Sequence, residues 1–324
     1  MRFSFALPLL FTALTSAAEP VPEFKGGIER LDPALDALIA PEAKIEVLAT
    51  GFNWSEGPVW KADKILFSDV PENTVFGWQE GDSAAAVVLK PSGSLSGDGQ
   101  GSNGLAVDAQ GSLILCQHGE RRIARLEKDG TFTSLADQYE GKRFNSPNDL
   151  VIAKDGTIYF TDPPYGLKKG TAPDMDIHGV YRVAKDSKVS LAISDLRWPN
   201  GIALSPDEKT LYIAVSDPAN TRVMAYDLTA EGVAKNPRVF FNAQPLKSAD
   251  RKGGCDGMKV DTAGNIWTTG PGGVLIISKE GKHLGSILTG VPTGNCAWGG
   301  KDKDTMYVTA DMFLLRVKTK IKGT

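Results

Sequence analysis

Apolar and polar positions along this chain follow a recurring order. A residue with a side-chain oxygen opens a short apolar run. A tight polar turn follows, then a second run rich in β-branched and aromatic residues. The order begins at Glu56 (EGPVWKADKILFSD), Asn103 (NGLAVDAQGSLILCQ) and Asn148 (NDLVIAKDGTIYFTD). It returns at Asn200 (NGIALSPDEKTLYIAVSD), Asp256 (DGMKVDTAGNIWTTG) and Asn295 (NCAWGGKDKDTMYVTA). Two runs joined by a turn such as Asp108-Ala-Gln-Gly111 or Lys154-Asp-Gly156 predict a β-hairpin. Further strand-like runs, for example Val75–Trp78 and Ala85–Leu89, complete a four-stranded unit.

Repeats spaced by about 40–56 residues have the length of propeller blades. The predicted fold is therefore all-β, a six-bladed β-propeller. The last unit runs out of chain after Phe313–Val317. The run Lys44–Leu48, just before the first unit, is expected to supply its fourth strand and so cover the exposed edges. Residues 19–43 read as an N-terminal extension with a short helix over Pro33–Leu38, and residues 44–324 as the propeller.

In a propeller the first strand of each blade lies nearest the axis. The six opening residues, Glu56, Asn103, Asn148, Asn200, Asp256 and Asn295, are then expected at one mouth of the central channel. Carboxylate and amide oxygens gathered at one point are hard ligands suited to Ca²⁺, and less strictly to Mg²⁺, Mn²⁺ or Zn²⁺. The alternative is that Asn and Asp merely cap turns there; Glu56, from a poor turn former, counts against it. The second strand returns to the same mouth. It brings Asp69, His118, Asp162 and Asp217, the Gly/Ser-rich run 91–102 and the insertion Pro163–His178 to that face. His118 could act as acid, base or substrate donor, or simply pack. Trp60, Trp198, Trp267 and Trp298 are expected in the core between blades.

Composition narrows the class. The 324 residues are 41% hydrophobic, with 36 basic and 39 acidic side chains and a formal charge of −3. This supports a packed core and supplies no basic excess for nucleic acid. Residues 1–18 carry Arg2, an apolar run to Leu14 and then small residues, the layout of a secretory signal peptide. Periplasmic or secreted localisation is the expectation, and no later run suggests a membrane span. Three cysteines (Cys116, Cys255, Cys296) without a CxxC pair are expected to be buried and structural.

Four motifs, each at a repeat opening, carry a resemblance: EGPVW from Glu56, RFNSPND from Arg143, PNGIALS from Pro199 and CDGMK from Cys255. With these the chain resembles the SMP-30/gluconolactonase (regucalcin-like) family, and more distantly the diisopropylfluorophosphatase and paraoxonase propellers. The resemblance implies one divalent metal held by Glu56, Asn148, Asn200 and Asp256, with Asp256 also the proton acceptor or donor. It implies hydrolysis of a small-molecule lactone or sugar-derived ester. Arg143 and Asn145 occupy a stretch that binds substrate in some relatives. Asn103, His118 and Asn295 join them as expected substrate contacts. Two further readings compete: a non-catalytic Ca²⁺-stabilised propeller that binds a sugar or protein, and another metal-dependent esterase or phosphotriesterase.

Overall fold

The computed structural model describes residues 23–324; the expected signal peptide lies outside the described residues. Six antiparallel sheets are arranged around an axis as a six-bladed propeller. Blade one runs outward through Ser55–Lys61, Lys64–Asp69, Thr74–Trp78 and Ala86–Leu89. Blades two, three and four begin at Ser102–Val107, Leu150–Ile152 and Pro199–Leu204. Blades five and six begin at Met258–Val260 and Asn295–Gly299. The innermost strands abut one another in ring order, blade six against blade one.

Ring closure follows the expectation. Ile45–Thr50 pairs antiparallel with Phe313–Lys318, from Ile45 opposite Val317 to Thr50 opposite Phe313, and forms the outer strand of blade six. The expected short helix is a 3₁₀ turn over Pro33–Ala37, capped by Asp32, whose Oδ1 accepts from Ala34 N at 2.8 Å. One element escaped the sequence: Gly27–Arg30 adds a fifth strand to blade five, against His283–Leu288. The N-terminal segment thus straps the outer edges of blades five and six, with Leu35 and Ile39 buried in the seam. No helix among the described residues is long and apolar enough to cross a membrane.

The core is divided into six apolar clusters, one at each junction between neighbouring blades. Alternate faces of every sheet therefore meet a neighbour, and both faces are buried. Trp267 and Trp298 meet edge to face at 5.1 Å in the junction of blades five and six, and Trp60 stacks on Tyr307 at 5.6 Å. Trp198 departs from the expectation, as described below. All three cysteines are free and buried. The predicted turns form as read: Asp108 Oδ1 accepts from Gln110 N at 3.0 Å and Ser112 N at 2.7 Å.

A second set of contacts ties each blade to the next beside the axis. Ser68 Oγ donates to Asn103 O (2.9 Å), Thr161 Oγ1 to Asn200 O (2.7 Å) and Ser216 Oγ to Cys255 O (2.6 Å). Each hydroxyl lies at the end of a second strand and satisfies a carbonyl in, or just before, the following inner strand, a buried group that needs a partner. The inner strands also touch through glycine. A Cβ on Gly201 would overlap the carbonyl oxygen of Asp256, to which Gly201 N donates at 3.1 Å. Gly57 meets Asn103 O, and Gly104 meets Asn148 O, in the same way.

This contact yields a test. Gly201→Ala should destabilise by about 1–3 kcal/mol, the usual cost of overpacking. Gly27→Ala, where a Cβ meets nothing within 4 Å, should melt like the wild type. Thermal melts of both variants check this; an unchanged Gly201→Ala melt would mean that the inner ring has slack.

Candidate metal centre and active site

The axial residues converge as the repeat requires. Glu56, Asn103, Asn148, Asn200 and Asp256 all line one cavity of about 510 Å³ at the channel mouth. Their backbones are fixed by the inner ring, so their side chains share its floor. Asn200 is held further. Its Nδ2 donates to Ser216 Oγ at 2.9 Å, which leaves Oδ1 free to act as a ligand atom.

Asn295, the sixth opening residue, lies outside the cavity wall. It is buried, and its Nδ2 donates to Asp149 Oδ2 at 3.2 Å. Its Oδ1 accepts from Cys296 N at 2.9 Å and from Lys259 Nζ at 3.4 Å. Asp149 occupies the position after the axial residue, where four other blades place Gly57, Gly104, Gly201 and Gly257. The expected substrate contact for Asn295 is therefore corrected: its amide is spent joining Asp149 to Lys259 below the floor.

The floor is strongly acidic. Burial, then repulsion from Asp149, raises Glu56 above the ordinary carboxylate range, against a hydrogen bond from Gly57 N at 2.9 Å. Burial, then repulsion from Glu56 and Asp149, raises Asp256 well above it. Asp149 is raised by burial, with Lys259 opposing. Among the described residues none of the three carboxylates forms an ion pair. Buried carboxylates of this kind hold protons or a cation. No cluster of three or more His, Cys, Asp or Glu side chains suited to a metal occurs among the described residues. The donor set here is of another type: two carboxylates with the amide oxygens of Asn148 and Asn200, which fits one hard divalent ion.

The remaining expected residues divide. Asn103 and His118 line the cavity. His118 is buried, its Nδ1 lies 3.0 Å from Gln100 Oε1, and burial pushes its pKa down to about 4. It is neutral at neutral pH. Arg143 and Asn145, expected at the substrate, are both off the wall. Phe144 between them is fully buried in the junction of blades two and three. That anchor turns Arg143 outward, where it donates to Glu120 O at 2.9 Å. It turns Asn145 into the loop, where Nδ2 donates to Asp162 O at 3.1 Å and Ile177 O at 3.0 Å.

The carboxylates expected round the mouth mostly clamp loops. Asp69 accepts from Asn53 N (3.0 Å) and Trp54 N (3.2 Å), and Asp162 from Asn145 N (2.7 Å) and Ser146 N (2.8 Å). Each fixes the segment entering an inner strand. Asp217 binds Ala219 N of its own turn at 3.0 Å.

Several wall residues were not singled out from the sequence: Trp54, Gln100, Tyr165 and Ser216. Trp198, expected in the core, also faces the cavity; its φ of 60° bends the chain just before the Asn200 strand. Tyr165, from the insertion Pro163–His178, stacks on Trp198 at 5.5 Å with a 12° interplanar angle. The Gly/Ser-rich run that presents Gln100 is tightly packed. Asn73 Oδ1 accepts from the backbone N–H groups of Ser92 (3.0 Å), Gly93 (2.8 Å) and Ser94 (3.1 Å).

Comparison with known proteins bears on the family and the fold. Residues 54–311 match the SMP-30/Gluconolactonase/LRE-like region. The chain is 38% identical to a gluconolactonase of Zymomonas mobilis, over 92% of this chain and 87% of that one. It is 26% identical to a pentonolactonase of Haloferax volcanii, over 81% and 83%. The solved structure of a gluconolactonase from Xanthomonas campestris superposes with a TM-score of 0.80 at 33% identity, covering 93% of this chain and 98% of the other. On its repeat, its fold and these matches, the chain belongs to the SMP-30/gluconolactonase/LRE-like family.

Proposed function

We propose that this protein is a metal-dependent lactonase that opens a small sugar lactone. One divalent cation, Ca²⁺ first among the candidates, would be held by Glu56, Asn148, Asn200 and Asp256. The observation that carries the reading is the convergence of the buried Glu56 and half-buried Asp256 carboxylates, neither in an ion pair among the described residues, with the Asn148 and Asn200 amides on one cavity floor. The relatives named as gluconolactonase and pentonolactonase support a lactonase-type hydrolase.

When bound, the cation would supply Lewis acidity toward the lactone carbonyl and offset the charge that develops there. The rest falls to the chain. Asp256 is half-buried and lines the cavity, where its carboxylate can meet a water. Its raised proton affinity suits a general base that takes a proton as water attacks. The same proton is then available to the ring oxygen as the C–O bond opens. The Asn200–Ser216–Cys255 chain of hydrogen bonds keeps the floor from rearranging during that transfer. The aromatic wall of Trp54, Tyr165 and Trp198 limits the water that reaches the carbonyl.

Two variants separate ligand from base. Glu56→Gln removes one of two floor carboxylates; metal affinity should fall, and excess metal should partly restore turnover. Asp256→Asn keeps a coordinating oxygen but cannot take a proton, so kcat should drop by about 10²–10⁴ and stay low at saturating metal. Lactone hydrolysis and metal content across a metal titration check both. Near-wild-type kcat in metal-filled Asp256→Asn would make Asp256 a ligand only. Loss of the ion with unchanged turnover would favour a structural metal in a binding propeller.

The chelator-treated protein should reveal the same carboxylates through stability. Their folded-state proton affinity is raised, so the folded form binds more protons than the unfolded chain above the ordinary carboxylate range. Stability then falls as pH rises through that window toward neutrality. Melting temperatures in EDTA should decline from about pH 5 to about pH 8. Added Ca²⁺ should reverse the decline at the upper end, and Glu56→Gln should flatten it. A melt that rises with pH and ignores Ca²⁺ would count against a cation at this floor.

A further inference from the structure

Among the described residues, nine buried side-chain polar atoms have no hydrogen-bond partner. Three of them, Asn103 Oδ1, His118 Nε2 and Tyr165 Oη, belong to residues that line this one cavity. Native proteins seldom leave such atoms unsatisfied, and a ligand atom is the usual remedy at a site. Asn103 Oδ1 sits on the axial ring and can serve a cation. The other two lie on the wall.

Their chemistry is fixed by their neighbours. Gln100 Oε1 can only accept, so His118 Nδ1 carries the proton and Nε2 presents a bare lone pair. Tyr165 Oη shares the cavity wall with Ser216 and Asn200, has no hydrogen-bond partner among the described residues and offers a donor. A lactone ring by itself has only acceptor oxygens. In the lactonase reading both are committed at the floor, the carbonyl oxygen to the cation and the ring oxygen to the Asp256 proton, so only a substrate hydroxyl remains to accept from Tyr165 Oη and donate to His118 Nε2.

Both groups are also held rigidly. Tyr165 stacks on Trp198, and Trp198 N donates to His178 Nδ1 at 3.3 Å. The next residue, Gly166, packs so closely on the His118 ring that a Cβ there would overlap it. The insertion therefore brings Tyr165 and His118 to adjoining parts of the wall. Little ordering is left to be done when a ligand binds.

We propose that His118 and Tyr165 form an acceptor–donor pair that reads substrate hydroxyl groups, with Tyr165 the specificity-determining member. This rests on the lactonase reading for its substrate and goes beyond it in assigning the discrimination to two wall residues. A site built to hydrogen-bond a hydroxyl discriminates against the analogue that lacks it, because its own buried polar atoms stay unpaired.

The test compares Tyr165→Phe with wild type, both loaded with Ca²⁺, on D-glucono-1,5-lactone and on δ-valerolactone. The variant keeps the stacked ring and loses only the hydroxyl. Its kcat/KM should fall about tenfold or more on the hydroxylated lactone and change less than about threefold on the unsubstituted one. Equal loss on both, or loss on neither, overturns the proposal. A second readout is independent of turnover: quenching of Trp54 and Trp198 fluorescence by D-gluconate against 5-hydroxypentanoate. If neither lactone is hydrolysed but gluconate binding is selectively weakened in the variant, the lactonase reading falls and the hydroxyl-reading pair stands. If wild type and variant bind gluconate alike, or neither binds it, the pair falls.

Discussion

The close approach of neighbouring inner strands governs this molecule. At Gly57, Gly104 and Gly201 there is no room for a side chain, because the carbonyl of the next inner strand occupies the space. That contact sets the radius of the ring. A wider ring would hold the axial side chains too far apart to share one ligand. The hydroxyl-to-carbonyl ties from Ser68, Thr161 and Ser216 hold the same spacing from the outer side. The repeated sequence is thus a device for convergence as much as for blade formation.

Convergence has an electrostatic cost. Glu56, Asp149 and Asp256 feel one another's charge in a desolvated channel, and Lys259 acts on Asp149 and on Glu56. Asn295 joins Lys259 to Asp149, so that carboxylate is served from below. Glu56 and Asp256 face the cavity above. The imbalance has a direction: the protein's own cation acts on Asp149 and Glu56, while Asp256 is left for a ligand. A floor of this kind attracts a cation and a proton in competition, which is the condition for one carboxylate to serve both as ligand and as base.

The fold and the floor were legible in the sequence because both are written in the repeat. Hairpins are local, and six copies of one grammar place their first residues equivalently. The wall was not legible, because it is made by loops whose packing has no period. Arg143 and Asn145 share a motif with Asn148, yet the burial of Phe144 sends their side chains away from the cavity. Asn295 shares the repeat position but is drawn down by Asp149, which stands where four other blades have glycine. Tyr165 sits in the insertion expected at this face, but its entry into the cavity depends on contacts without a period: the stack on Trp198, the packing of Gly166 on His118 and the 2.8 Å hydrogen bond from Gly166 N to Ser146 Oγ. Gly27–Arg30 is too short to stand out, and its role depends on an edge supplied some 250 residues later.

Floor and wall therefore answer to different constraints. The floor is built on inner strands whose glycine contacts forbid small adjustments, so its ligand set can vary little without opening the ring. The wall stands on the 91–102 run and the 163–178 insertion, which meet the floor through side chains more than through shared strands. A change of Gln100 would alter the proton position on His118 without touching an inner strand. A change of Trp198 would tilt Tyr165 but would also disturb the bend that delivers Asn200. Of the two, Gln100 is the route by which ligand preference can shift while the floor stays intact.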